Sequence, residues 1–291
     1  MVVIEVVFLA LFWSAACSAV LFLRNTLLPR LPLTQTPAQF NLPFETVQFD
    51  ATDGVRLEGW KISGDPGRRW IILCHGVGSN RADLLDIAAG LHAASFNVLL
   101  FDFRGHGGSA GWTTSFGWQE QRDLEGALAF LGRQPEVPAL PYGIYGISMG
   151  GAVTLMVAAK DERLGAMAVD SPYTSLEATL GRHLRLLYPI IPTVPFLWFI
   201  LATYRVRFGV WPRQVSPYEA VGHLSPRALL LIHGSVDPRM PRAGTQRMFE
   251  RAEEPKALWI IEGAGHLESF GKDPQHYLAR LSEFFTRHLT P

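Results

Sequence analysis

Only two cysteines occur in the 291 residues, Cys17 and Cys74. One sits in an apolar N-terminal run and the other at the end of a predicted buried strand, so a disulfide between them is not expected, and no C-x-x-C pair is present to grip a metal. Net charge is missing as well. The 26 Lys and Arg balance 26 Asp and Glu, and the two signs are interspersed, which leaves no basic face for a nucleic acid. There is no internal repeat and no low-complexity tract. With 48% hydrophobic and 18% charged residues the chain is not disordered by composition, and its length suits one large domain or two small ones.

The last absence is local. From Val6 to Leu23 the run VVFLALFWSAACSAVLFL has no charged residue, and Glu5 is the only charge before it. That length approaches what a hydrocarbon core requires. A cleaved signal peptide would carry basic residues first; here Arg24 and Arg30 follow instead. The expectation is an uncleaved membrane anchor over residues 1–24, with the following domain on the cytoplasmic side by the positive-inside rule. Lipidation at Cys17 is disfavoured by the apolar residues after it, and a buried core helix is the remaining alternative. Residues 25–43, with Pro29, Pro32, Pro37 and Pro43, read as an extended linker.

Residues 44–291 read as one α/β domain. Alternation on both sides of Asp53-Gly54 predicts a hairpin. Then short apolar strands take turns with helical patterns: WIILC, NVLLFDF, YGIYGI, AMAVD, ALLLIHG and ALWIIEG, each but AMAVD followed directly by a helix. Such alternation predicts a mostly parallel sheet with helices on both faces. An insertion of about 171–215 interrupts it before the last two strands. Its stretch LLYPIIPTVPFLWFILATY has the hydropathy of a membrane span. A single crossing there would put the strands of one sheet on opposite sides of a bilayer, and Pro189, Pro192 and Pro195 break the helix pattern. A cap over the site, resting on the membrane surface, is the better reading.

In an open parallel sheet, ligands gather at the carboxyl ends of the strands. Ser148 lies there, in YGISMGG, between a predicted strand and a predicted helix. G-x-S-x-G in that context exposes the serine hydroxyl on a sharp turn. A serine nucleophile needs a base, and the base an orienting carboxylate. Asp237 in IHGSVD and His266 in GAGH each follow one of the last two strands, in the chain order this arrangement requires. Glu262 is the competing acid. Taken singly, Asp237 would be a turn former before Pro238 and His266 a surface histidine; order and placement together favour the triad. The backbone N–H groups of Met149 and Val77 are the candidate oxyanion donors, with His75 fixing the loop that carries Val77. Nothing in the pattern calls for a cofactor, and Asp102 with His106 is only a weak metal pair.

Residues 44–288 resemble the α/β-hydrolase superfamily, through CHGVGSN, DFRGHGGS, YGISMGG, IHGSVD and GAGH in order. Within it the chain is similar to membrane-tethered bacterial hydrolases of the Bem46-like and serine aminopeptidase-like groups. The resemblance implies Ser148 as nucleophile, Asp237 and His266 as its partners, and Val77 and Met149 as oxyanion donors. A serine carboxylesterase is then expected, on lipophilic esters of the monoacylglycerol or lysophospholipid kind. A serine peptidase or thioesterase is the alternative among enzymes, and a membrane-anchored binding protein the alternative outside them. The aromatics Tyr188, Phe196, Trp198, Phe199 and Trp211 would either contact an acyl chain or pack the cap onto the domain.

Overall fold

The computed structural model describes residues 2–27, 29–65, 67–137 and 141–289, and side chains for all of these except 2–4 and 6–8. Met1 of the expected anchor, 28 of the expected linker, and 66, 138–140 and 290–291 of the expected domain lie outside the described residues.

Among the described residues the chain forms α1 (Val2–Thr26), then the hairpin β1 (Phe44–Asp50) and β2 (Arg56–Ile62). Next come β3 (Trp70–Cys74), α2 (Leu85–Ala93), β4 (Asn97–Phe101), α3 (Glu120–Gly132), β5 (Tyr142–Ile147), α4 (Met149–Ala158) and β6 (Leu164–Asp170). Two helices, α5 (Leu176–Leu187) and α6 (Thr193–Phe208), with the short α7 (Pro217–Ala220), separate β6 from β7 (Ala228–Gly234). The chain ends with α8 (Arg242–Arg251), β8 (Lys256–Ile261), α9 (Ser269–Lys272) and α10 (Pro274–His288).

The eight strands form one sheet in the order β1-β2-β4-β3-β5-β6-β7-β8. β1, β2 and β4 pair antiparallel, and β4 through β8 are parallel. The parallel strands are apolar because both faces are covered. In β3, Ile72 and Cys74 enter the core under α3 and α4, while Ile71 and Leu73 enter the core under α2 and α10. β7 divides likewise, with Leu229 and Leu231 on one side and Leu230 and Ile232 on the other. Burying each such side chain contributes about 1.5–3 kcal/mol. Because these strands run the same way, the segments leaving β3, β5, β7 and β8 emerge along one edge.

Pro189 and Pro192 fall between α5 and α6, whereas Pro195 sits in the first turn of α6, where a missing N–H breaks no helical hydrogen bond. Only α1 is long and apolar enough to cross a membrane among the described helices, over Leu9–Thr26. Its face of Ser14, Ser18, Phe22 and Thr26, spaced four apart, turns toward the protein, and Ser18, Phe22 and Thr26 are buried. Phe22 packs edge-on against Tyr204 and Phe208 of α6. The Thr114 N–H donates to the Thr26 carbonyl at 3.0 Å. Past the helix, Arg30 donates to the carbonyls of Gly107, Ser109 and Gly111, and Asn80 donates to those of Leu31 and Pro32.

Candidate active site

Ser148 follows β5 directly and caps α4 with φ 50° and ψ −115°. A non-glycine residue held there costs about 1–3 kcal/mol and persists only where its surroundings impose it. The Ser148 N–H donates to the Asp170 carbonyl at 2.8 Å. The turn is tight enough that a Cβ on Gly146 would stand 2.6 Å from the Gly150 carbonyl oxygen, and one on Gly150 would strike the carbonyls of Cys74 and His75. These obstacles are backbone and cannot swing aside. Gly150→Ala is therefore expected to cost about 3 kcal/mol, the upper range for overpacking. The thermal midpoint is the readout, and an unchanged midpoint would contradict this packing.

The segments after β7 and β8 bring Asp237 and His266 to this serine. Ser148 Oγ lies 3.1 Å from His266 Nε2, and His266 Nδ1 lies 2.7 Å from Asp237 Oδ2. The other Asp237 oxygen accepts from the N–H groups of Arg239 and Met240 at 2.8 and 2.9 Å. Glu262 is exposed at the end of its strand, and His266 Nδ1 faces Asp237 instead. Burial alone would raise the Asp237 pKa, but the His266 hydrogen bond and charge with the two N–H donors outweigh it and hold the carboxyl below its ordinary range. A lowered folded value means stability present above the unfolded value of about 3.9 and lost as pH falls through the folded one. In His266→Ala burial should prevail and Asp237 should move up. A ¹³C carboxyl titration checks this, and identical midpoints in the two proteins would contradict it.

The loop after β3 approaches from the other side. A Cβ on Gly76 would stand 3.4 Å from Ser148 Cβ. His75 is buried, its Nε2 accepting from Phe103 N–H at 3.0 Å and its Nδ1 lying 2.7 Å from the Gly76 carbonyl. Burial, with His106 and Arg81 nearby, pushes its pKa well down, so it is neutral and both nitrogens are engaged by backbone. His106 Nε2 accepts from Gly78 N–H at 3.2 Å. Asp102 accepts from Arg81 N–H, the Arg81 guanidinium and Gly108 N–H. The Asp102–His106 pair is thus occupied with protein donors. Val77 and Met149 both line the cavity at Ser148 and His266. The Met149 N–H is the first of α4, where helix amides have no intrahelical acceptor.

Several residues of the site carry no signal in the sequence. The cavity above Ser148 has a volume of about 520 Å³ and is walled by Leu180, Leu184 and Leu187 of α5, Ile200 of α6, and Leu21 and Phe22 of α1. The α5 leucines are an amphipathic stripe that could have been read; the share taken by α1 could not. Of the five cap aromatics, Tyr188 lines the cavity, whereas Trp198 is 69% exposed because α6 turns Ile200 and Tyr204 inward. Behind Ser148, the buried Asp170 accepts from Ser171, Ser269 and Tyr277 hydroxyls. His233 lies 3.9 Å from Asp237 and bridges Met240 and Thr245.

An open sheet of this order, with a serine on a strained strand–helix turn at its carboxyl edge, defines an α/β hydrolase. The chain belongs to the family described as serine aminopeptidase, S33, whose model matches residues 65–211. Among curated relatives it is 32% identical to the uncharacterized protein YqkD of Bacillus subtilis over 235 residues, covering 79% of this chain and 75% of that one. It is 28% identical to the uncharacterized protein YfhR of Escherichia coli K12 over 253 residues, covering 85% and 82%. Among solved structures it resembles the Pyrococcus furiosus esterase Pf2001 with a TM-score of 0.76 and 26% identity, covering 91% of this chain and 98% of that one.

Proposed function

We propose that this hydrolase is a membrane-anchored serine carboxylesterase for lipophilic acyl esters. The observation that carries the reading is the hydrogen-bonded chain Ser148–His266–Asp237 at the floor of an apolar cavity. In it, Ser148 Oγ attacks the ester carbonyl carbon while His266 Nε2 takes the hydroxyl proton. Asp237 holds the imidazole tautomer and stabilises the imidazolium. The N–H groups of Val77 and Met149 face the oxyanion. Collapse expels the alcohol, which leaves with the proton from Nε2. Water then attacks the acyl-enzyme, giving its proton to Nε2, and the second collapse returns that proton to Ser148 as the acid departs. No cofactor enters any step.

The likeness to an esterase supports ester over amide cleavage, and so does the cavity lining. Among the described residues no Asp or Glu faces the cavity, whereas an aminopeptidase must hold a substrate ammonium group. A panel of p-nitrophenyl esters of rising chain length, run beside an aminoacyl p-nitroanilide, tests the reading. Activity should rise with chain length. Preference for acetate would remove the lipophilic part, and faster anilide cleavage would favour the peptidase.

We read residues 1–24 as the anchor, 25–43 as the linker, and 44–291 as the hydrolase domain with its cap at about 171–215. Only 17% of the Leu9–Thr26 stretch is buried in the protein, which favours an anchor over a core helix. The positive-inside rule, through Arg24, puts the domain in the cytoplasm. A reporter fused after the last residue and active only outside the cytoplasm would reverse this orientation.

A further inference from the structure

The stretch of α1 with the apolarity of a membrane span, Leu9–Thr26, overlaps the stretch whose Ser14–Ser18–Phe22–Thr26 face is turned onto the protein. Of that apolar stretch only Leu9–Trp13 lies ahead of the contact. At 1.5 Å per residue this is about 8 Å, well short of a hydrocarbon core of about 30 Å. The helix cannot place its apolar length in lipid while α6 stays in water, because the two are packed together through Phe22, Tyr204 and Phe208.

The surface around this contact fits such immersion. Ile190 (93% exposed), Val194, Trp198 and the α1 residues Phe12 and Trp13 are large apolar side chains without cover. The first three turns of α6 carry no charge. Arg24, Arg205 and Arg207 lie within one turn of the Phe22–Tyr204–Phe208 contact, and all three are exposed. Between residues 171 and 215 there are five arginines and a single acid, Glu177, although the whole chain is neutral. An apolar face rimmed by arginine is the chemistry of an interfacial membrane helix on an anionic leaflet. Leu186 and Leu187 belong both to the cavity wall and to the exposed surface, so the cavity mouth opens beside Ile190.

We propose that the α5–α6 turn and the first half of α6 are immersed in the leaflet that holds the Phe22 end of α1, and that esters reach Ser148 from the lipid rather than from water. This rests on reading α1 as a membrane helix, and it makes that helix a wall of the substrate cavity as well as an anchor. The partner is a bilayer with an anionic surface, and the substrate class is a long-chain acyl ester dissolved in it.

Spin labels provide the test. In a Cys17→Ser background, with the buried Cys74 retained, nitroxides are placed singly by Phe12→Cys, Ile190→Cys, Trp198→Cys and Glu162→Cys, the last at the opposite edge of the sheet. The protein is reconstituted into phosphatidylethanolamine–phosphatidylglycerol vesicles. Positions 12, 190 and 198 should favour oxygen over a water-soluble nickel chelate, and 162 the reverse. If 12 is lipid-exposed while 190 and 198 meet nickel, the proposal fails and the anchor stands. If 12 also meets nickel, both fail. Spin–spin broadening between copies at 190 and 198 would indicate a dimer and overturn the proposal too. Kinetics test the route: diluting a long-chain ester fivefold with inert phospholipid, at constant bulk ester, should lower the subsaturating rate about fivefold. An unchanged rate would mean uptake from water.

Discussion

Ser148→Ala is expected to lower kcat on p-nitrophenyl esters by roughly 10⁴–10⁶, comparable with serine-triad knockouts elsewhere. The alanine fits the strained turn as the serine does, because only Oγ is removed and neither Gly146 nor Gly150 is disturbed. Substrate should still enter the apolar cavity, so KM should change little, and the loss should fall on the chemical step. His266 would keep its Asp237 partner at 2.7 Å but have no hydroxyl to deprotonate. Asp237→Asn should cost less, about 10⁴, since the ring is held in the wrong tautomer while the nucleophile remains in place. Fluorophosphonate labelling should vanish in Ser148→Ala and persist in wild type. Undiminished hydrolysis by the alanine variant would end the serine mechanism.

The largest expected effect on stability lies away from the site. Arg104 spans two acids, donating to Asp53 in the β1–β2 turn at 2.7 and 2.9 Å and to Asp123 of α3 at 2.5 and 2.8 Å. The Asp123 side chain is fully buried. Burial pushes its pKa up, and Arg104 opposes that shift. Arg104→Ala removes the opposing charge and should cost about 3–5 kcal/mol, the usual penalty for stranding a buried ion. The deficit has a definite sign with pH. Asp123 already has its folded pKa raised to about 7 and the variant pushes it higher, so the extra penalty appears only as pH rises through that value, and the deficit should grow from about pH 6 to about pH 9. Chemical denaturation in detergent at the two pH values measures it. A pH-independent deficit would mean that lost packing, not a stranded carboxylate, accounts for the effect.

The alternation of strands and helices made the sheet legible, because buried parallel strands must be apolar on both faces. YGISMGG, IHGSVD and GAGH made the meeting of Ser148, His266 and Asp237 legible for a related reason: a residue just past a parallel strand has few places to be. Asp170 and His233 were not legible. Each ends or lies within a strand already accounted for by hydrophobic pattern; Asp170 reaches Ser269 and Tyr277 some hundred positions on, and His233 meets Met240 and Thr245 in the segment that folds back after its strand. The part of α1 in the cavity wall was hidden more completely. An apolar helix looks the same whether lipid or protein covers it, and only the packing of Phe22 against α6 separates the two. The same limit applies to the cap aromatics, whose inward or outward facing depends on how α6 is rotated.

The docking of α1 also fixes an order of assembly. Phe22 leaves the ribosome some 180 residues ahead of Tyr204 and Phe208, so at 5–20 residues per second its neighbours are made roughly 10–35 s later. During that interval the helix lacks the α6 surface that covers Phe22. The wall that Leu21 and Phe22 lend to the cavity can therefore be completed only after synthesis has passed the second half of the chain. Newly made protein should acquire hydrolytic competence as one of its final folding events, when the oldest segment closes against one of the younger.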